Sequence, residues 1–369
     1  MKNYFLLFIF FLFCKTAFTQ EKNNKDIFTT TIRYHYGVVM PHHKSISYLI
    51  NDQISAVELN MGYIPSNEKN WAKLYKQPEV GLGLYHGSLG NNKVLGNVTA
   101  IFPYINFPLS RGNKWEVNTQ LGIGLGYTKK HFDPVRNYTN LAIGTKFNAF
   151  FKLIAQGSYS INSKWGINAG LGFNHISNGA ISAPNKGLNI LTSNFGVKYY
   201  WNEKSRKSFT PAVIEEKLPN EFVLIWGNGI KQASEKDHHK YYTSSLTGNY
   251  SFGINAKQKI GFGIDLFYNK AANRGKWDFE PETDFENRFS QAIFISHDLV
   301  IEKFSIIANI GVYTYYKTEP EKPIYTRLGI RYILNKHLIT SLSLKAHMGK
   351  ADYIEWGIGY RIKKDKSEK

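Results

Sequence analysis

The chain has 369 residues and a formal net charge of +18, and it is rich in aromatics, with 24 Tyr, 25 Phe and 7 Trp. That aromatic load excludes a disordered protein. The one long apolar run, Tyr4–Phe13, is ten residues, against the roughly 20 that a membrane-spanning helix needs.

Residues 1–19 read as an export signal. Lys2 supplies the positive start, Tyr4–Phe13 the apolar stretch, and Ala17-Phe18-Thr19 a cleavage motif, with the cut near Thr19/Gln20. Cys14 is the only cysteine, and it follows Phe13 where a lipobox requires a small residue, so the lipoprotein reading is the weaker one. The mature chain then has no disulfide, no thiol nucleophile and no thiolate metal site. An exported basic protein meets anionic lipid or glycolipid headgroups, so no nucleic-acid partner is expected.

Beyond the signal the pattern is period-two alternation in segments of about ten residues, the length of a tilted membrane strand. Trp165-Gly-Ile167-Asn-Ala169-Gly-Leu171-Gly-Phe173 and Ile260-Gly-Phe262-Gly-Ile264-Asp-Leu266 are the clearest. Strands are expected to begin near Phe28, Ile54, Val80, Val94, Trp115, Phe147, Trp165 and Leu188. In the second half they are expected near Phe222, Tyr241, Ile260, Arg288, Phe304, Ile324, Leu338 and Tyr353. Even-to-odd links such as Ile161–Lys164, Asn255–Gln258 and Glu302-Lys303 are short, as periplasmic turns are, while Lys130–Thr145 and Ala272–Asn287 are long, as outer loops are. The long links Ser66–Lys76 and Asn202–Asn220 depart from that rule. The fold class is therefore an all-β transmembrane antiparallel barrel of about 14–16 strands in the outer membrane. Residues 20–201 form a first half, 202–219 a periplasmic connection, 220–363 a second half and 364–369 a polar tail. The halves echo one another: Tyr159–Asn174 resembles Tyr250–Asn269 with Trp165 set against Ile260. The alternative is thus two tandem eight-stranded units.

One strand carries chemistry. Extending the lipid-facing parity of Trp165, Ile167, Ala169, Leu171 and Phe173 leads to His175 and Ser177 at the outer rim. Residues two apart on one strand have Cβ atoms about 7 Å apart, within reach of an imidazole–hydroxyl contact. In the following strand the apolar parity of Leu191, Phe195, Val197, Tyr199 and Trp201 leads upward to Asn189, also at the outer rim. Polar groups on a lipid face are costly and point to function. A nucleophile, a base and an orienting group thus converge in the manner of a triad, and Asn178, Gly179 and Asn185 of the intervening loop offer oxyanion donors. A polar rim without catalysis has the same spacing.

The run Phe173-Asn-His175-Ile-Ser177-Asn178-Gly179-Ala180, followed by Pro184-Asn185-Lys-Gly187-Leu-Asn189, resembles the signature of PagL-type lipid A 3-O-deacylases. The resemblance covers roughly residues 30–201 and leaves the second half outside. It implies an outer-membrane barrel esterase acting on lipid A of lipopolysaccharide at the outer leaflet. Ser177 would be the nucleophile, His175 the base, and Asn185, with Asn178 nearby, the oxyanion donor. The family's Glu falls on Asn189, whose side-chain oxygen can accept the imidazole N–H but brings no charge. No cofactor or metal is implied. The alternative function is a non-catalytic, porin-like or structural barrel whose triad has decayed. In the second half the aligned positions are Lys270 and Ala272, so no second catalytic pair is expected.

Other groups read as weaker candidates. Asp278, Glu280, Glu282, Asp284 and Glu286 alternate in an outer loop that would be solvated or would hold Ca²⁺. The pairs His42-His43 and His238-His239 lack ligand spacing. Lys129, Lys130, Arg136 and Lys186 flank the proposed site and are of the right sign for lipid A phosphates. Asp133 is the fallback orienter should Asn189 not serve.

Overall fold

The computed structural model describes residues 26–41, 44–66, 69–202, 216–272, 284–318, 320 and 322–363. The proposed signal, Cys14, His42-His43, most of the acidic loop and the polar tail lie outside the described residues.

Among the described residues sixteen antiparallel strands form, and they close as two separate eight-stranded barrels, not as one large one. The first comprises β1 (Ile27–Met40), β2 (Ile54–Ile64), β3 (Glu79–Ser88), β4 (Asn97–Arg111), β5 (Trp115–Thr128), β6 (Phe147–Ser160), β7 (Trp165–Ser177) and β8 (Leu188–Tyr200). The second comprises β9 (Glu221–Ser234), β10 (Asp237–Gly253), β11 (Gln258–Asn269), β12 (Phe289–Ile301), β13 (Phe304–Tyr316), β14 (Ile324–Ile333), β15 (Leu338–His347) and β16 (Lys350–Lys363). Barrel 1 closes by pairing β1 with β8, in a register that sets Tyr34 opposite Phe195. Barrel 2 closes by pairing β16 with β9, Ile358 opposite Trp226. The tandem arrangement is therefore the correct one of the two expected, and the single 14–16-strand barrel is not formed. Strand starts fall within four residues of expectation. The largest offset is β10, which begins at Asp237 because an irregularity between Asp237 and Lys240 lets it pair with β9 up to the turn. The link after β2 is long because it carries a short helix, Asn70–Leu74.

Alternation drives each closure. On β1, Ile32, Tyr34, Tyr36 and Val38 project outward and are exposed, while Thr29, Thr31, Arg33 and His35 point inward and are buried. At the short-turn end Trp115 packs on Tyr159, Trp165 on Tyr199, and Tyr199 on Trp201, forming an interfacial aromatic belt.

An eight-stranded barrel is just wide enough for side chains to fill it, and both lumens are filled. In barrel 1, Glu58 is fully buried and accepts from Arg33, Lys152 and Asn60, with His35 Nε2 at 3.1 Å. Arg33 reaches on to Asn168 and Gln156. Above this ionic layer Phe102, Phe150, Ile143, Leu95, Ile176 and Leu188 form an apolar plug under the long loops. Barrel 2 has its own network, in which Arg327 binds Asp265 at 2.8 Å and Glu355 at 2.6 Å, and Arg361 binds Glu221 at 2.8 Å. Buried charges persist only when paired, so each barrel neutralises itself internally.

Candidate active site

The outer ends of β7 and β8 position the site. Ile176 and Leu188 point inward into the apolar plug and are fully buried. That anchoring forces their neighbours His175, Ser177 and Asn189 onto the outer face. His175 pairs directly with Asn189 across the two strands, which brings their Cβ atoms within about 4.5–5.5 Å.

The three side chains meet. His175 Nδ1 lies 2.6 Å from Asn189 Oδ1, and His175 Nε2 lies 3.0 Å from Ser177 Oγ. An amide oxygen can only accept, so Nδ1 carries the hydrogen. That leaves the Nε2 lone pair facing the hydroxyl, the tautomer a general base requires. Ser177 is 7% exposed, and His175 and Asn189 are half-buried.

The β7–β8 loop folds back over this trio. Asn178 is 2% exposed; its backbone N–H donates to Asn185 Oδ1 at 3.0 Å and its side-chain amide donates to Ser182 O at 2.9 Å. Of the two asparagines expected at the oxyanion, Asn178 is thus engaged inside the loop as a clasp. Asn185 has its oxygen fixed by that clasp, and its remaining donors are on Nδ2. Gly179 and Ala180 both adopt positive φ, +62° and +68°.

Gly187, to which the sequence assigned no role, borders the trio. It has φ +70°, and a Cβ there would lie 3.0 Å from His175 Cε1 and 3.4 Å from Ser177 Cβ. Its N–H donates to Ala142 O and that of Lys186 to Leu141 O, which ties the β7–β8 loop to the β5–β6 loop. The signal for it was present: a glycine two residues before an outward-facing Asn, where the chain must turn tightly against the ring.

Other expected groups fall elsewhere. Asp133 caps its own turn, accepting from the backbone N–H of Arg136 at 2.8 Å and Val135 at 2.9 Å. Those bonds hold its carboxyl below the usual range, and His175 is oriented by Asn189, not by Asp133. Lys130 donates to Asn92 O and Lys93 O, so it braces two loops. Lys129 and Arg136 are exposed in the β5–β6 loop, and Lys186 is half-buried beside Asn185. His239 is exposed and contacts Asp237. Glu286 pairs with Lys317 on the surface. Lys270 and Ala272 follow the end of β11 and form no counterpart of the His175–Ser177 pair.

Residues 56–198 match the family model described as lipid A 3-O-deacylase (PagL), and residues 220–364 match that of the acyloxyacyl hydrolase C-terminal domain. The second half, expected to lie outside the resemblance, is therefore covered as well. No curated protein matches the chain. Among solved structures it is similar to Neisserial surface protein A, at 11% identity and a TM-score of 0.33 over 47% of this chain and 96% of that one. It is also similar to Omp33 of Acinetobacter baumannii, at 8% identity and a TM-score of 0.18 over 92% of this chain and 99% of that one.

Proposed function

This chain belongs to the lipid A 3-O-deacylase (PagL) family of the outer membrane, and we propose that it acts there as a serine esterase with Ser177 as nucleophile. The observation that carries the reading is His175 held at once 2.6 Å from Asn189 and 3.0 Å from Ser177, on the lipid-facing side of the outer rim.

In the first half-reaction Ser177 Oγ attacks the acyl carbonyl as its proton passes to His175 Nε2. Asn189 Oδ1 keeps the ring in register through Nδ1–H. The oxyanion accepts from the Asn185 side-chain amide. Collapse breaks the ester C–O bond, and the imidazolium returns its proton to the leaving sugar hydroxyl. In the second half-reaction water, deprotonated by His175, attacks the acyl-serine; the acyl–Oγ bond breaks, the imidazolium returns its proton to Ser177 Oγ, and the fatty acid leaves. The asparagine at the third position orients the ring as a neutral acceptor and itself brings no charge to the imidazolium.

The filled lumen of barrel 1 supports this reading over a porin-like one, because ion-paired and apolar side chains occupy the space that a channel needs. The test is mass spectrometry of lipid A from cells carrying wild type or Ser177→Ala. Loss of deacylated lipid A is expected while the variant still assembles in the outer membrane. Unchanged deacylation by a folded Ser177→Ala protein would remove Ser177 from the mechanism.

A further inference from the structure

The two barrels meet at the loop beside Ser177, and we infer that barrel 2 acts on the reaction through Gln232, a positioning residue that holds this loop against the nucleophile. The inference rests on the esterase reading above.

Gln232 lies near the outer end of β9 and is 7% exposed. Its backbone N–H donates to Ala180 O at 3.0 Å. Its side-chain oxygen accepts from Ala183 N–H at 3.1 Å, from the Ser182 hydroxyl at 3.2 Å and from Lys240 Nζ at 3.3 Å. Its side-chain nitrogen donates to Ser234 O at 2.9 Å, which fixes the amide's orientation. Lys240 of β10 also donates to Ile181 O, and Ile354 of β16 occupies the space a Cβ at Gly179 would need, 2.4 Å from it. Residues 179–183 are thus held by barrel 2 at each position.

Those five residues, with Pro184, connect the two asparagines. Asn178 follows Ser177 directly and bonds Ser182 O, while its N–H fixes the Asn185 oxygen. A shift of Ser182 and Ala183 therefore moves the Asn185 donor relative to Ser177 Oγ. The loop needs an outside hold because Ala180, which is not glycine, sits at φ +68°, a conformation side chains disfavour. Barrel 2 is shaped for the contact. Its β9–β10 and β15–β16 connections, next to the loop, are cut to two residues each, which leaves room for the barrel 1 loop to lean across.

The experiment uses the full-length protein in detergent and compares kcat and KM on lipid A and on a short-chain aryl ester. The variants are Gln232→Leu, Gln232→Glu, Lys240→Met and Ser177→Ala. Gln232→Leu removes the acceptor at nearly constant volume. It is expected to lower kcat about 10- to 100-fold on both substrates, the scale of a displaced donor or a misplacement of about 1 Å, with KM within about 3-fold. Gln232→Glu keeps an acceptor for Ala183, Ser182 and Lys240 while losing the bond to Ser234 O, and is expected to retain clearly more kcat than Gln232→Leu. Lys240→Met, an exposed change, is expected to lower kcat by about 3- to 10-fold, and it decides the matter if Gln232→Leu fails to assemble. A kcat that Gln232→Leu leaves unchanged overturns the inference. So does a defect confined to KM for lipid A, which would make barrel 2 a docking surface. Equal losses in Gln232→Leu and Gln232→Glu overturn it as well. Activity surviving in Ser177→Ala would instead overturn the esterase reading on which it rests.

Discussion

Replacing Asn189 by Asp tests the weakest link of the proposed triad. The carboxylate oxygen would take the place of Oδ1, 2.6 Å from His175 Nδ1, so hydrogen-bond geometry is kept and only charge is added. Unit charges about 4 Å apart interact by roughly 1 kcal/mol in water and about 4 kcal/mol at the dielectric of a protein surface. Asn189 is half-buried, which places the gain for the imidazolium between those limits. The opposing cost of a charge at the rim of the lipid face is about 0–1 kcal/mol. A net gain of about 1–3 kcal/mol raises kcat about 5- to 150-fold. Asn189→Glu should also accelerate the reaction, but by less, because the extra methylene must be folded back between directly paired strands. The assay is steady-state kinetics on a short-chain aryl ester and on lipid A, with His175→Ala as the inactive reference. If neither carboxylate variant is faster while His175→Ala is dead, the Asn189 contact does not stabilise the imidazolium and the reasoning fails.

Further outcomes follow from other parts of the molecule. Gly187→Ala should lower kcat about 10- to 100-fold without loss of assembly, since its Cβ would press on His175 Cε1 from a backbone at φ +70°; wild-type kcat in the folded variant would show that the ring tolerates the shift. Glu58→Leu leaves Arg33 and Lys152 buried without their counter-charge, a loss of about 3–5 kcal/mol that should appear as a lower heat- or urea-unfolding midpoint in detergent. An unchanged midpoint would mean that the lumen hydrates freely. Arg327→Met should destabilise barrel 2 in the same way by stranding Asp265 and Glu355, while barrel 1, with its own ion network, keeps its protease resistance. Simultaneous loss of both would show that the barrels do not fold as separate units. The whole protein should show heat-modifiable gel mobility and require outer-membrane detergents for extraction, and recovery in a soluble periplasmic fraction would contradict the exposed apolar faces.

The alternation by itself determined the strands, their starts and which face each residue occupies, because side-chain direction along a strand has a period of two whatever the strand pairs with. Continuing that parity past Phe173 and above Leu191 was enough to set His175, Ser177 and Asn189 on one face at one end. Closure was not legible in the same way. Sixteen alternating strands suit one large barrel or two small ones equally, and the choice lies in register and stagger, here the pairing of β8 back onto β1 and of β16 onto β9. The lumen clusters were hidden for a related reason. Glu58, Arg33 and Lys152 are far apart in the chain and meet only because an eight-stranded wall brings opposite strands within side-chain reach. The loop needed tertiary structure as well. The loop's composition offered both Asn178 and Asn185 as donors and the family resemblance favoured Asn185; the fold engages the first as a clasp and fixes the oxygen of the second. Gln232, about fifty residues beyond the loop it holds, has no local pattern to mark it, since its role exists only where the second barrel closes beside the first.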